Sequence, residues 1–422
     1  MADLRCVIGG VPSINPFWLA SAPPTDKYIN VVRAFEAGWG GVVWKTMGEG
    51  DAVVNASSRY GVHKRAEGGI VGINNIELIS DRPLEENLRE IVQVRREWPD
   101  RVIIGSIMAP IDERAWKDLA IAVAVAGVHG IELNLGCPHG MCERGMGSAI
   151  GQAPDLVERT TRWVREAVNI PVFTKLTPNI TDIVVPAEAA LRGGADAVSL
   201  INTVSSITSV DLNLMAPTPT VDGKGTHGGY CGQAVKPIAL NMVSSIARDA
   251  VTSDLSISAI GGITTWRDAA EFIALGAEGV QVCTAAMLYG FRIVDDMKAG
   301  LSQFMDDNGY RTIDDFRGKA IPNTVDWNDL NLNFDLKAFI HQDKCIECGR
   351  CHIACEDTSH QAIAFDRTNA GRRFTVIDEE CVGCNLCQHV CPVDGCIEMR
   401  PVDNGLPPVT WPEHPKNPAR VL

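Results

Sequence analysis

Eight cysteines near the carboxyl end constrain this chain more than any other feature. Cys345, Cys348, Cys351 and Cys355 follow the spacing C-x2-C-x2-C-x3-C. Cys381, Cys384, Cys387 and Cys391 repeat it 36 positions later, followed by Pro392. Three thiolates on one tight loop each reach a different iron, and the fourth swings toward the opposite site. The repeat is therefore the spacing of two [4Fe–4S] clusters. The ligand sets read as crossed: Cys345, Cys348 and Cys351 with Cys391, and Cys381, Cys384 and Cys387 with Cys355. Zinc sites usually separate two ligand pairs by a longer stretch and fit less well. Glu356 stands where the second run has Pro392, which alters the turn after Cys355 and removes no ligand. Cys396 lies outside the pattern and, like Cys6, Cys142 and Cys231, reads as a packed thiol.

Upstream, eight short apolar runs alternate with helix-period segments. They are 18–20, 40–46, 102–107, 130–136, 171–177, 197–203, 256–262 and 279–285. Helix candidates lie between them, such as PLEENLREIVQVRREW and TTWRDAAEFIALGA, the latter with Thr265 and Asp268 in a capping pattern. Alternation of this kind calls for a parallel sheet. Eight units in about 290 residues fit a (β/α)8 barrel; an open doubly wound sheet is the alternative. The expected fold is α/β, a TIM barrel followed by a small α+β domain of bacterial ferredoxin type. The expected division is 1–300 for the barrel, 301–335 for a helical linker, 336–400 for the ferredoxin-like domain and 401–422 for an extended, Pro-rich tail.

The formal charge of −14 disfavours a nucleic-acid partner or an anionic membrane surface. No run of 18 apolar residues suggests a membrane span. The start, MADLRCVIGGVPSINPF, lacks the apolar core of a secretory leader. Fourteen cysteines in such a chain suggest metal or redox use in the cytoplasm rather than disulfides.

Polar residues collect at the carboxyl ends of the apolar runs, which share one face in a barrel. Lys45 and Lys175 each end a run, where a cation stabilises negative charge on a reduced flavin. AIGGITTW (259–266) turns from a strand through Gly261 and Gly262 into a capped helix, a phosphate cradle or else a plain tight turn. Cys283 and Thr284 end the next run. GKGTHG (223–228) spells a dinucleotide fingerprint but follows no strand, and reads as a mobile loop. NADH then reaches the chain only through a partner. The loop 132–152 is Gly-rich and carries Cys137, whose thiol is protonated at neutral pH and suits a general acid, or else is structural. Asn74, Asn75, Asn134 and Asn202 offer amide donors and acceptors for a planar, amide-like ring such as a pyrimidine.

Together, NPFWLASA, AFEAGWGGVVWKT, NNIELIS, LNLGCPHGMCERGMGSAIGQ, TKLTPN, INTVSS and the two cysteine runs resemble the dihydropyrimidine dehydrogenase family over about residues 1–400. Dihydroorotate dehydrogenase is the wider relative with the same FMN barrel. The resemblance implies FMN, two [4Fe–4S] clusters and reduction of the uracil or thymine C5=C6 bond. It also implies electrons from NADH through an FAD- and NADH-binding iron–sulfur partner subunit in a hetero-oligomer. It implies FMN contacts from Ser21, Lys45, Thr46 and Lys175, with Gly232, Gly261, Gly262, Cys283 and Thr284 around the phosphate tail. Asn75, Asn134, Leu135, Gly136, Asn202 and Thr203 would hold the pyrimidine, and Glu77 and Ile79 match the same substrate loop. Cys137 would be the acid. Gly136 stands where family members carry Ser, and Cys142 replaces a small loop residue. Two other readings remain: a dihydroorotate dehydrogenase with fused clusters, and an electron-transfer module without a substrate of its own.

Overall fold

The computed structural model describes residues 2–48, 53–358, 360–368 and 371–421. The chain forms two compact units, Met1–Thr324 and Val325–Leu422.

In the first unit all eight apolar runs become strands of one closed parallel barrel: Phe17–Leu19, Gly41–Met47, Val102–Ile107, Gly130–Asn134, Val172–Lys175, Ala197–Leu200, Ser256–Ile260 and Gly279–Val282. Each pairs with its neighbours in sequence, and the last pairs with the first, Val280 opposite Phe17. The strands read as continuous apolar runs because both faces are covered. Gly41–Met47 and Val102–Ile107 are buried at every residue. Helices such as Leu84–Glu97, Pro154–Ala167 and Trp266–Ala274 form the outer ring, burying Ile91 and Val94, Val157 and Val164, and Phe272 and Ile273. The expected cap is present: the Thr265 hydroxyl accepts from the Asp268 N–H, and the Asp268 carboxylate accepts from the Thr265 N–H at 2.8 Å. Such a cap contributes about 1 kcal/mol.

The segment expected as a linker is divided. Helix Ile293–Asp307 and the turns after it pack on the barrel, with Ile313 and Phe316 in its core. The unit boundary falls after Thr324 because apolar side chains keep anchoring the chain up to there.

A four-stranded antiparallel sheet adds a second layer to this unit, in the order Val204–Ser206, Gly228–Cys231, Ile70–Asn75, Tyr60–Lys64. The GKGTHG stretch, read as a mobile loop, carries strand pairing. Thr220–Val221 pairs with Lys224–Gly225 around a tight turn, and Gly228 opens an inner strand of the sheet. Two of its glycines serve close packing: a Cβ on Gly228 would meet Asn74 Oδ1 at 2.0 Å, and one on Gly225 would meet Pro217 O at 2.2 Å.

In the second unit, Asp335–Ile340 pairs with Ile397–Val402, and Ile363–Thr368 forms a hairpin with Gly371–Val376. Helix Arg350–Glu356 carries Cys351 and Cys355, and helix Leu386–Val390 carries Cys387. Both follow a residue in the left-handed region, Gly349 and Asn385, so the sequence duplication is also structural. The departure at Glu356 has a visible effect. The first helix runs through Cys355, whereas the second ends at Val390, before Cys391 and Pro392, since proline cannot continue a helix. The tail from 403 onward is not wholly free: Leu332 donates to Val409 O, and Trp411 packs on Trp327. Among the described residues no helix is long and apolar enough to cross a membrane.

Candidate functional site

The carboxyl ends of the barrel strands open into one cavity roofed by the antiparallel sheet. Ser21, Lys45, Thr46, Asn134, Cys137, Lys175, Asn202, Thr203, Gly232, Gly261, Gly262, Cys283 and Thr284 line it from the barrel side. Tyr60, Asn75, Glu77 and Ile79 line it from the sheet and the segment after it.

Three expected residues are not in this ring. Asn74 turns away, donating to Ser206 O at 2.8 Å. It neighbours Asn75 on a strand, and successive side chains point to opposite faces. Leu135 is fully buried in the apolar core. Gly136 is closed off by Asn202, whose Cβ lies 2.5 Å from where a Cβ on Gly136 would sit.

The two lysines are buried and differently held. Lys45 donates to Glu77 Oε1 at 2.7 Å and lies 3.9 Å from Asp26. Arg59 and Tyr60 share the other oxygen of Glu77. Burial works to raise the Glu77 carboxyl, but Lys45 and Arg59 outweigh it and hold the group below the usual range. Lys175 lies 3.5 Å from Glu132, which is wholly buried inside the barrel. Buried cations survive only when so paired. A hydrogen-bonded chain crosses the floor. Asn202 donates to Asn134 Oδ1 at 2.9 Å, Asn134 donates to Thr46 at 2.9 Å, and Thr46 meets Ser106 at 3.0 Å. Ser106 in turn reaches Glu132. Sequence reasoning passed over Glu132 and Gln281. The available signal was a charged or amide side chain inside the apolar runs GIELN and GVQV. Asp26, in a Pro-rich turn, gave no comparable signal.

The site can take a flavin phosphate and a planar ring. Gly232, Gly261 and Gly262 all have φ in the left-handed region, 102°, 137° and 72°. A Cβ on Gly262 would meet Lys236 Cβ at 2.7 Å, so these positions form a cradle that only glycine leaves open. Gln281 Oε1, on a cavity-lining residue, is buried without a hydrogen-bond partner among the described residues. The residues therefore fit FMN, with the cations Lys45 and Lys175 as the expected complement to its reduced ring.

Cys137 lies on the loop after the fourth barrel strand. Ser148 N–H donates to Cys137 O at 3.0 Å, and the thiol donates to His139 O at 3.4 Å. His139 Nε2 pairs with Glu77 O at 2.9 Å, which ties this loop to the segment carrying Glu77. Burial pushes the Cys137 thiol up to about 11, so it is a protonated donor at neutral pH.

In the second unit the cysteines ring two separate cavities. One is lined by Cys345, Cys348, Cys351 and Cys391, the other by Cys355, Cys381, Cys384 and Cys387. Among the described residues no three ligating side chains converge as one metal ion requires. Thiols spread around a cavity suit a larger, multi-iron body.

Residues 13–305 match the dihydroorotate dehydrogenase family, and 338–399 match the 4Fe-4S dicluster domain. The chain is 44% identical over 398 residues to the NAD-dependent dihydropyrimidine dehydrogenase subunit PreA of Escherichia coli (strain K12), covering 94% of this chain and 95% of that one. It is 41% identical to the chloroplastic dihydropyrimidine dehydrogenase (NADP(+)) of Arabidopsis thaliana, over 78% of this chain and 79% of the relative. It is 33% identical to the catalytic subunit of dihydroorotate dehydrogenase B (NAD(+)) of Thermoplasma volcanium, over 76% of this chain and 99% of the relative. With a closed barrel ending in a lysine- and asparagine-lined cavity, and a duplicated cysteine unit after it, the chain belongs to the dihydroorotate dehydrogenase family, among the dihydropyrimidine dehydrogenase subunits that carry a 4Fe-4S dicluster domain.

Proposed function

We propose that the chain is the pyrimidine-reducing subunit of an NAD-dependent dihydropyrimidine dehydrogenase, saturating the C5=C6 bond of uracil or thymine. The observation that carries this reading is a buried, protonated thiol, Cys137, lining the same cavity as Lys45, Lys175 and three asparagines.

Asn75, Asn134 and Asn202 supply the amide donors and acceptors that a pyrimidine's two N–H and two C=O groups require. Thr203 completes the set. Ser21, Lys45, Thr46 and Lys175 hold the isoalloxazine, and Gly232, Gly261, Gly262, Cys283 and Thr284 surround the phosphate. When bound, FMN supplies a hydride to pyrimidine C6, and the two clusters supply the single electrons that restore it. Cys137 Sγ gives its proton to C5 and recovers one from water. Holding that proton against solvent at neutral pH is what the thiol's burial achieves. Electrons enter from NADH through a separate FAD- and NADH-binding iron–sulfur subunit, and the assembly works in the cytoplasm.

A dihydroorotate reading is favoured by the name of the family model and by the Thermoplasma volcanium relative. It is weakened by the fact that both lysines lining the cavity already face carboxylates, while orotate brings a carboxylate of its own. Anaerobic reduction with dithionite, followed by uracil in one cuvette and orotate in another, separates the readings. Return of the oxidised flavin band with uracil alone supports the proposal. Return with orotate alone transfers it to the second reading, and no response to either leaves only an electron-transfer role.

A further inference from the structure

The cavity ringed by Cys345, Cys348, Cys351 and Cys391 has a fifth thiol in its wall, Cys396. Cys396 is 2% exposed and lies on the turn that feeds strand Ile397–Val402. Its N–H donates to Val393 O at 3.2 Å, so the chain folds back within five residues of Cys391 and returns a second sulfur to the same wall. Gly395, at φ 64°, makes that return possible. The Cys396 thiol donates to His341 O at 3.8 Å and lines the same cavity as Cys391 and Cys345.

A packed thiol would need no particular relation to the cluster, yet the duplication argues for one. The 36-residue offset that pairs each cysteine of the first run with one of the second pairs Cys396 with His360. His360 lines the other cavity. Both repeats thus place a ligating side chain at one matched point of the wall, in addition to the four cysteines. Thiolate is the ligand that cluster iron prefers, and imidazole is the harder one.

We infer that Cys396 is a reserve iron ligand of this cavity, able to take the iron otherwise held by Cys391. The inference rests on the reading that the two cavities hold the clusters. The exchange is a ligand substitution without change of oxidation state. The bond from Cys391 sulfur to iron breaks and the released Cys391 thiolate takes a proton from water, while Cys396 gives its thiol proton to water and its thiolate binds the vacated iron.

The test measures iron and inorganic sulfide, together with the low-temperature EPR spectrum of the dithionite-reduced full chain after anaerobic reconstitution. Wild type and Cys396→Ala should both carry the full complement. Cys391→Ala should keep nearly all of its iron, with one of two EPR signals altered. Cys391→Ala/Cys396→Ala should fall to about half. Cys355→Ala, backed only by His360, should lose more iron than Cys391→Ala. Equal loss in the single Cys391→Ala variant and the double variant overturns the inference, as does loss of a cluster from Cys396→Ala alone. If Cys391→Ala does not fold, Cys345→Ala poses the same question and is scored in the same way. A wild-type chain without iron would instead defeat the cluster reading itself.

Discussion

The two units are held together by different means. The barrel's core is a large apolar assembly, with Trp39, Trp44, Trp116, Phe17 and Phe272 among side chains buried to within 2%. Its polar cavity sits at the edge of that core. In the second unit four of the ten residues that form the core cluster are cysteines: Cys351, Cys381, Cys387 and Cys396. There the site lies inside the core. A small core of this kind buries little apolar area, so a bound metal centre supplies much of the folding free energy. In the barrel the fold makes the site. In the second unit the site makes the fold.

The largest expected effect exploits that difference. Stripping iron with a chelator under oxidising conditions should unfold the second unit and leave the barrel intact. Limited proteolysis should then leave a resistant fragment ending near Thr324, with most helical circular dichroism retained. Simultaneous loss of both units would break the contrast.

The converse holds in the cavity, where a change should cost activity and leave structure alone. Cys137→Ala removes the proposed proton donor, and a general acid contributes about 10²–10⁴-fold. Pyrimidine reduction should fall by that range while FMN content, iron content and melting temperature stay near wild type. Unchanged turnover would remove Cys137 from the mechanism. The same thiol sets a pH profile. A general acid acts only while protonated, so activity is lost as pH rises through its pKa. Burial places that near 11 rather than at an ordinary thiol's value. Turnover of pre-reduced enzyme should therefore stay flat past pH 9, and a limb centred near 8.5 would count against a buried thiol.

The contrast also explains what could be read from the sequence. The eight barrel strands were legible because both faces of each are covered, which leaves unbroken apolar runs such as VIIGSI. The 4Fe-4S dicluster domain was legible because iron chemistry fixes the spacing of its cysteine runs. The roof over the cavity was not. Its strands are short and glycine-bearing; Tyr60–Lys64 pairs locally with Ile70–Asn75, but Gly228–Cys231 reaches the same strand across more than 150 residues, from Gly229 to Asn75, a pairing that no local pattern records. Leu135 and Gly136 are substrate contacts only in what the family resemblance implies. Chain neighbours at a strand end point in different directions, and one enters the core while the other is covered by Asn202. The division at Thr324 was missed because Ile313 and Phe316 are isolated apolar residues in a polar stretch, with no periodicity to mark their burial.

Gly136 offers the finest test of how the barrel makes its site. The Gly136 backbone lies outside the left-handed region, so it tolerates a side chain, and only space forbids one. A Cβ would lie 2.5 Å from Asn202 Cβ and 2.6 Å from its Nδ2. Asn202 must yield, and the first thing it loses is the 2.9 Å donation to Asn134 Oδ1. Overpacking of this kind costs about 1–3 kcal/mol. In a cavity wall the cost appears in ligand positioning rather than in unfolding. Gly136→Ser should therefore raise KM for the pyrimidine by about tenfold or more, since 1.4 kcal/mol is a factor of ten. The melting temperatures of both units and the FMN content should stay unchanged. Asn202→Ala should raise KM in the same direction, and the two changes combined should do little more than either alone, because both act on one side chain. Additive effects would mean that Gly136 contacts the substrate directly, through its own backbone, and that the steric account of this position is wrong.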